Sequence, residues 1–191
     1  MAVGTATPSR ARVLRGRSDQ QSKETEVPCI KVLRKTQLFA GLSDEQLALV
    51  ALPCQQVHYR EDQIIFSEGD EVTEVLIVLQ GKVSVEVKLF EGFHLRPKAV
   101  TVGKTSRSGV IGCCALIEPR SMNMTARCTE DTEVVAVNAD DLRGLLEAHP
   151  DIGLIVMENA FRIARDRLVL ARQQLVAQFG LRETYESYRN Y

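Results

Sequence analysis

The run GVIGCCALIEPRSMNMTARC over residues 109–128 gathers side chains and backbone that can do chemistry. A glycine (Gly112) ahead of a short apolar turn leaves free backbone N–H groups that suit an anion. Arg120, in Glu118-Pro119-Arg120-Ser121, is a cation whose planar fork can pair with phosphate or carboxylate oxygens. The adjacent thiols of Cys113 and Cys114 allow a third chemistry, a redox switch, because a cysteine at a helix start can ionise more easily. Against the switch, Cys113-Cys114-Ala115-Leu116-Ile117 also reads as a packed turn, with cysteine serving as a small hydrophobe.

Other chemistries lack their residues. The five cysteines (Cys29, Cys54, Cys113, Cys114, Cys128) show no Cys-x-x-Cys, and adjacent cysteines bridge only with backbone strain. His58, His94 and His149 are scattered, so neither a zinc cage nor a disulfide framework is expected. There is no Ser/His/Asp set, no paired catalytic carboxylates and no nucleotide-hydrolase glycine loop, so the chain does not read as an enzyme.

The elements around this run are mostly strands. Ser43-Asp44-Glu45-Gln46 has capping-box spacing and predicts a helix from Asp44 to about Leu52. Strands follow at Val57–Tyr59, Ile64–Phe66 and Val75–Leu79, with turns at Ser67–Asp70 and Gln80–Lys82. Val83, Val85, Val87 and Leu89 alternate with Ser84, Glu86 and Lys88, the period of a strand with one face covered. A loose segment is expected over 91–98, a short strand over Ala99–Val102 and a polar loop over Gly103–Ser108; strands at Met124–Cys128 and Glu133–Val137 complete the set. Many short strands at close spacing mean a sandwich or barrel rather than a parallel sheet.

After Asn138, which can cap a helix over Asp140–Glu147, the pattern becomes helical. From Pro150 a helix of about 29 residues, about 43 Å long, should run to Phe179, where Gly180 stops it. Leu154, Met157, Phe161, Ala164, Leu168, Ala171 and Leu175 fall three and four apart along it. The stripe outreaches one small barrel, so a two-stranded coiled coil over 151–179 and a homodimer are expected.

Helix, barrel, then two helices is the order of cyclic nucleotide-binding domains, and particular residues carry the resemblance. Leu38-Phe39-Ala40-Gly41-Leu42-Ser43 resembles the family's helical lead-in, and Ser67-Glu68-Gly69-Asp70 its Glu-Gly-Asp turn. Residues 75–83 (VLIVLQGKV) resemble its strand–Gly–strand hairpin, and residues 111–117 (IGCCALI) the start of its phosphate-binding cassette. The resemblance covers about residues 30–180 and implies an α+β, mainly β fold: a jelly-roll β-barrel flanked by an N-terminal helix and a long C-terminal dimerisation helix.

It also implies a ligand site at Gly112, Cys113, Cys114, Ala115, Arg120, Ser121, Met122 and Asn123, for a cyclic nucleotide or another small phosphate-containing anion. In the family an arginine pairs with the exocyclic phosphate oxygens, a glutamate accepts from the ribose 2′-hydroxyl, and the long helix closes over the base. Aligned without a gap from Gly112 to Thr125, the glutamate position is Cys113 and the arginine position Met122. A two-residue slip would instead bring Arg120 onto the arginine and leave two surplus residues before the strand. The ungapped register is preferred, and it makes cAMP binding weak. Haem sensing, found elsewhere in the superfamily, would need a ligand near the long helix; only His149 is close, and it reads as a helix-end residue.

Composition sets the remaining bounds. The chain has 191 residues, 45% apolar and 26% charged, with a net charge of −1. This is a soluble composition without the basic excess of non-specific nucleic-acid binding, and no apolar run is long enough to span a membrane. Reduced cysteines suit the cytoplasm. The expected organisation is a disordered basic tail over 1–27, the barrel with its flanking helices over 28–150, the dimerisation helix over 151–180 and a short tail over 181–191. That tail is too short for a helix-turn-helix reader, so direct DNA binding is not expected and the output would pass to a separate effector protein. A module that kept the barrel and dimer helix but lost its ligand is the alternative.

Overall fold

A computed structural model of the chain describes residues 29–90 and 97–178. The tail over 1–27, most of the expected loose segment and the tail over 181–191 lie outside the described residues.

Among the described residues, eight strands form two four-stranded antiparallel sheets. The first has the order β1 (Cys54–Tyr59), β8 (Thr132–Asn138), β3 (Glu74–Gln80), β6 (Val110–Ile111). The second runs β2 (Ile64–Phe66), β7 (Thr125–Cys128), β4 (Val83–Phe90), β5 (Pro97–Thr105). The result is the expected jelly-roll, built as two sheets over a shared core instead of a closed barrel. Val75, Leu76, Ile77 and Val78 from the first sheet and Val83, Ala126 and Cys128 from the second are buried in one cluster.

Helix α1 (Asp44–Ala51) starts as its sequence predicts: Ser43 Oγ accepts from the Gln46 N–H at 3.3 Å, and Ser43 N–H donates to Gln46 Oε1 at 2.9 Å. Asn138 caps α2 (Ala139–Ala148), its Oδ1 accepting from the Asp140 and Asp141 N–H groups. Pro150 opens α3, which runs to Gln178, the last described residue. Gly153 sits where α3 meets α2, and a Cβ there would lie 2.8 Å from the Leu146 carbonyl oxygen. Only a glycine lets the two backbones come this close.

The β5 expectation needs correction. The strand spans Pro97–Thr105, so Gly103, Lys104 and Thr105, read above as loop, are paired opposite Val85, Ser84 and Val83. The long partner β4 supplies the reason: eight residues of alternating strand offer ladder groups that a four-residue neighbour would leave unpaired. A bulge between Val85 and Glu86 absorbs the glycine-containing stretch.

The first half of α3 packs on the rest of the chain through Ile152, Val156, Asn159 and Ile163, all buried. Asn159 is the polar member, and its Nδ2 donates to the Leu38 and Ala40 carbonyls at 3.2 and 2.8 Å. This ties the long helix to the N-terminal lead-in.

Candidate functional site

The cassette begins with a forced backbone. Gly112 has φ of 79°, and a Cβ there would stand 2.6 Å from the Glu74 carbonyl oxygen, so no other residue fits without movement. A single 3-10 turn, Cys113–Leu116, follows. Ala115 and Leu116 point into the core, while Arg143 of α2 donates to the Ala115 carbonyl at 3.1 Å. The helix expected after the glycine is thus one turn, pinned at its far end by α2.

The second half of the cassette hydrogen-bonds to the Glu-Gly-Asp turn. Gly69 N–H donates to the Met122 carbonyl at 2.7 Å, Met122 N–H to the Asp70 carbonyl at 2.9 Å, and Val72 N–H to the Arg120 carbonyl at 2.8 Å. Glu68 N–H adds a bond to Thr125 Oγ1 at 3.2 Å. That turn therefore works as the cassette's structural clamp.

In this frame Met122 is buried in the core and Asn123 is exposed. Arg120 is held by two carboxylates, Glu118 at 2.6 Å and Asp140 of α2 at 3.1 Å, with its side chain 30% exposed. Arg120 and Ser121 line a surface depression of about 360 Å³ with Gly69, Glu71 and Glu118. Two nearby acids and an already paired guanidinium make a poor seat for a phosphate.

A second cavity, of about 390 Å³, lies between the second sheet and the C-terminal half of α3. Val85 of β4, Val102 and Thr105 of β5, Met124 before β7 and Leu168, Leu170 and Ala171 of α3 line it, with Lys104 and Arg167 as its cations. Arg167 also donates to the Val110 carbonyl at the foot of the cassette. Lys104 and Arg167 further border an adjoining cleft with Arg107, Ser108 and Gly109. An apolar chamber with cations at its edge can hold a ligand that has a flat or aliphatic body and an anionic group.

None of the cassette residues named from the sequence is among the described residues lining this second cavity. Sequence reasoning missed Lys104, because Gly103–Ser108 was read as loop, and did not single out Arg167 on the long helix. Charge within a strand that faces a helix was the available signal.

Cys113 and Cys114 are half-buried beside the core. Burial, then the adjacent Cys113, pushes the Cys114 thiol up, and backbone hydrogen bonding and Arg167 offset only part of this. A raised thiol is a poor nucleophile at neutral pH.

Residues 56–149 match the family model described as the cyclic nucleotide-binding domain. The cyclic AMP receptor protein of Thermus thermophilus is 27% identical over 170 residues, covering 78% of this chain and 76% of that protein. The CRP-like cAMP-activated global transcriptional regulator of Mycobacterium tuberculosis is 22% identical over 138 residues, 72% of this chain; the chain spans only 58% of that regulator's length. A crystallised cyclic nucleotide-binding domain from Methylobacillus flagellatus superposes with a TM-score of 0.68 at 18% identity, over 82% of this chain and 85% of that one. Among the described residues, no helix is long and apolar enough to cross a membrane. The two-sheet roll, the glycine-led turn between β6 and β7 and the match across both sheets agree, and residues 56–149 of the chain belong to the cyclic nucleotide-binding domain family.

Proposed function

We propose that this chain is a dimeric, non-enzymatic regulatory module of the cyclic nucleotide-binding type, with a degenerate cassette, that binds cAMP weakly and signals through a separate effector protein. Its units are the barrel with flanking helices over 28–150 and the helix over 151–180. The observation that carries the reading is the fate of the two positions that could hold the cassette arginine: Met122 has no charge and is buried in the core, and Arg120 is occupied by Glu118 and Asp140. Cys113 stands where the resemblance expects a carboxylate and cannot accept a ribose hydroxyl as a carboxylate would.

The size of the loss follows. Charge-assisted hydrogen bonds contribute about 1.5–3 kcal/mol each. Losing the arginine and glutamate contacts together weakens binding on the order of a hundredfold or more. What remains is the cavity under α3, whose Lys104 and Arg167 suit a small anion with an apolar body. The test is calorimetric titration and thermal shift with cAMP, cGMP, cyclic dinucleotides and small carboxylate or phosphate anions, beside the Thermus thermophilus receptor protein as a control. Weak or absent cAMP binding, unchanged by Arg120→Ala, is the expected result. Affinity equal to the control, or binding lost in Arg120→Ala, would show that the cassette is live.

A second reading, a ligand-free interaction module, draws on α3. Leu154 and Phe161 are each 72% exposed, an apolar stripe that none of the described residues covers. The proposed partner for it is the same stripe of a second copy, which would bury both. Sedimentation at rising concentration tests this, and a monomer throughout would remove the dimer from the proposal.

A further inference from the structure

The cations of the cassette and those under α3 are in opposite states. Arg120 is held by carboxylates at 2.6 and 3.1 Å. Lys104, Arg107 and Arg167 border one cleft from β5, the loop after it and α3, and make no ion pair among the described residues. The acid among the described residues of that cleft, Asp166, is engaged by Arg165 at 2.9 Å. Arg167 spends one nitrogen on the Val110 carbonyl, which fixes its fork and leaves its remaining N–H donors to a ligand.

The cleft shares Lys104, Thr105, Arg167 and Leu170 with the chamber of about 390 Å³ under α3. The chamber walls are aliphatic, and no carboxylate or aromatic ring is among the described residues that line it. An irregularity in the sheet makes room for it. Beside the bulge between Val85 and Glu86, Gly103 stands opposite Val85 and brings no side chain. A Cβ there would lie 4.0 Å from that of Val85, an ordinary contact, so the space is open to one. On the helix side Leu168 and Leu170 remain 70% and 58% exposed.

We propose that chamber and cleft together bind a single-chain aliphatic anion, its tail in the chamber and its carboxylate or phosphate head among Lys104, Arg107 and Arg167. The inference rests on the reading of the cavity under α3 as the ligand site, and it names the class of ligand. The volume lies toward the low end of ligand pockets, about 300–1,000 Å³. Without a ring in the wall a purine has no stacking partner, whereas an aliphatic tail needs only apolar cover. Unpaired positive charge selects an anionic head, and the planar fork of Arg167 fits two of its oxygens. So seated, the ligand ties β5 to the half of α3 that the core does not grip.

The experiment is calorimetric titration of the full chain with decanoate below its micelle concentration, beside decyl phosphate, decanol and cAMP. Saturable one-to-one uptake of an anion is expected, and the stronger of decanoate and decyl phosphate identifies the head group. Lys104→Gln and Arg167→Gln should each weaken it about tenfold or more. Gly103→Val should abolish it by filling the chamber, while Arg120→Ala leaves it unchanged. In wild type the amide resonances of 102–105 and 167–174 should shift with the anion, which locates the site even if a variant folds poorly.

No uptake of either anion, decanol binding as tightly as both, cAMP binding more tightly than either, or shifts confined to the cassette would each overturn the proposal. So would movement of the 167–174 resonances on dilution alone, without uptake, which would give the chamber to a second copy. Such a failure, with cAMP binding still weak and independent of Arg120, leaves the regulatory reading standing. Only cAMP affinity equal to that of the Thermus thermophilus receptor protein, or lost in Arg120→Ala, overturns that reading.

Discussion

The long helix α3 has two apolar faces that look alike in sequence and differ in everything else. One, through Ile152, Val156 and Ile163, is between 0 and 6% exposed and packs on the rest of the chain. The other, through Leu154, Phe161 and Leu168, is at least 70% exposed. Both follow the three-and-four spacing of a helix stripe. The difference teaches that periodicity reports a demand for burial and says nothing about which surface meets it. Here the own-chain face carries a marker, the buried amide of Asn159, whose two carbonyl partners both lie in the lead-in. A polar group at such a place demands a specific mate, whereas the outer face asks only for apolar cover.

The largest expected effect lies on the inner face. Ile152→Ala removes a fully buried side chain and should cost about 2–5 kcal/mol in denaturant unfolding. A loss too small to resolve would mean that the helix start is loosely packed and would erase the contrast. Asn159→Ala is next: two carbonyls lose their donor, and about 1–3 kcal/mol of stability should go with them. Limited proteolysis should then show earlier cleavage in the lead-in.

Phe161→Ala, on the outer face, should leave the unfolding free energy of the dilute protein within about 0.5 kcal/mol of wild type. Its signature is expected in the oligomer, with sedimentation shifting toward monomer at concentrations where wild type self-associates. The reverse pattern, a large loss of monomer stability, would mean that this face is covered within the chain.

The smallest effect is electrostatic. Hydrogen bonding from Arg165, with a lesser contribution from Gln37, holds the Asp166 carboxyl below its ordinary value. A depressed carboxylate contributes stability above its unfolded value and loses it as pH falls through the folded one. Asp166 lies open to solvent, where screening removes most of this, so Asp166→Asn should not measurably move the thermal midpoint at neutral pH. An NMR titration of wild type should still show the lowered carboxylate. A large stability change in Asp166→Asn would mean that this flank of α3 is packed.

Much of the fold was legible because its signals are local. Ser43 with Gln46, Asn138 before Asp140 and Pro150 mark helix starts through groups a few residues apart, and the structure places them so. The alternation after Gly81 likewise marks β4. The full length of β5 was not legible, since its pairing is decided by the partner strand. At the cassette, the glycine and the substitutions at Cys113 and Met122 could be read directly. The engagement of Arg120 could not, because one of its two carboxylates comes from α2. The cavity cations Lys104 and Arg167 come from β5 and α3, so they share one cavity only after folding.

By itself, then, the sequence determined most of the strands and helices, the family resemblance and the position of an altered cassette, because these rest on short-range patterns and on which residue types are present. The tertiary structure alone decided which apolar face of α3 is spent inside the chain, which cations reach the cavity and how Arg120 is neutralised. Those outcomes depend on contacts between segments distant in sequence, and such contacts are set by how the two sheets and α3 share one core.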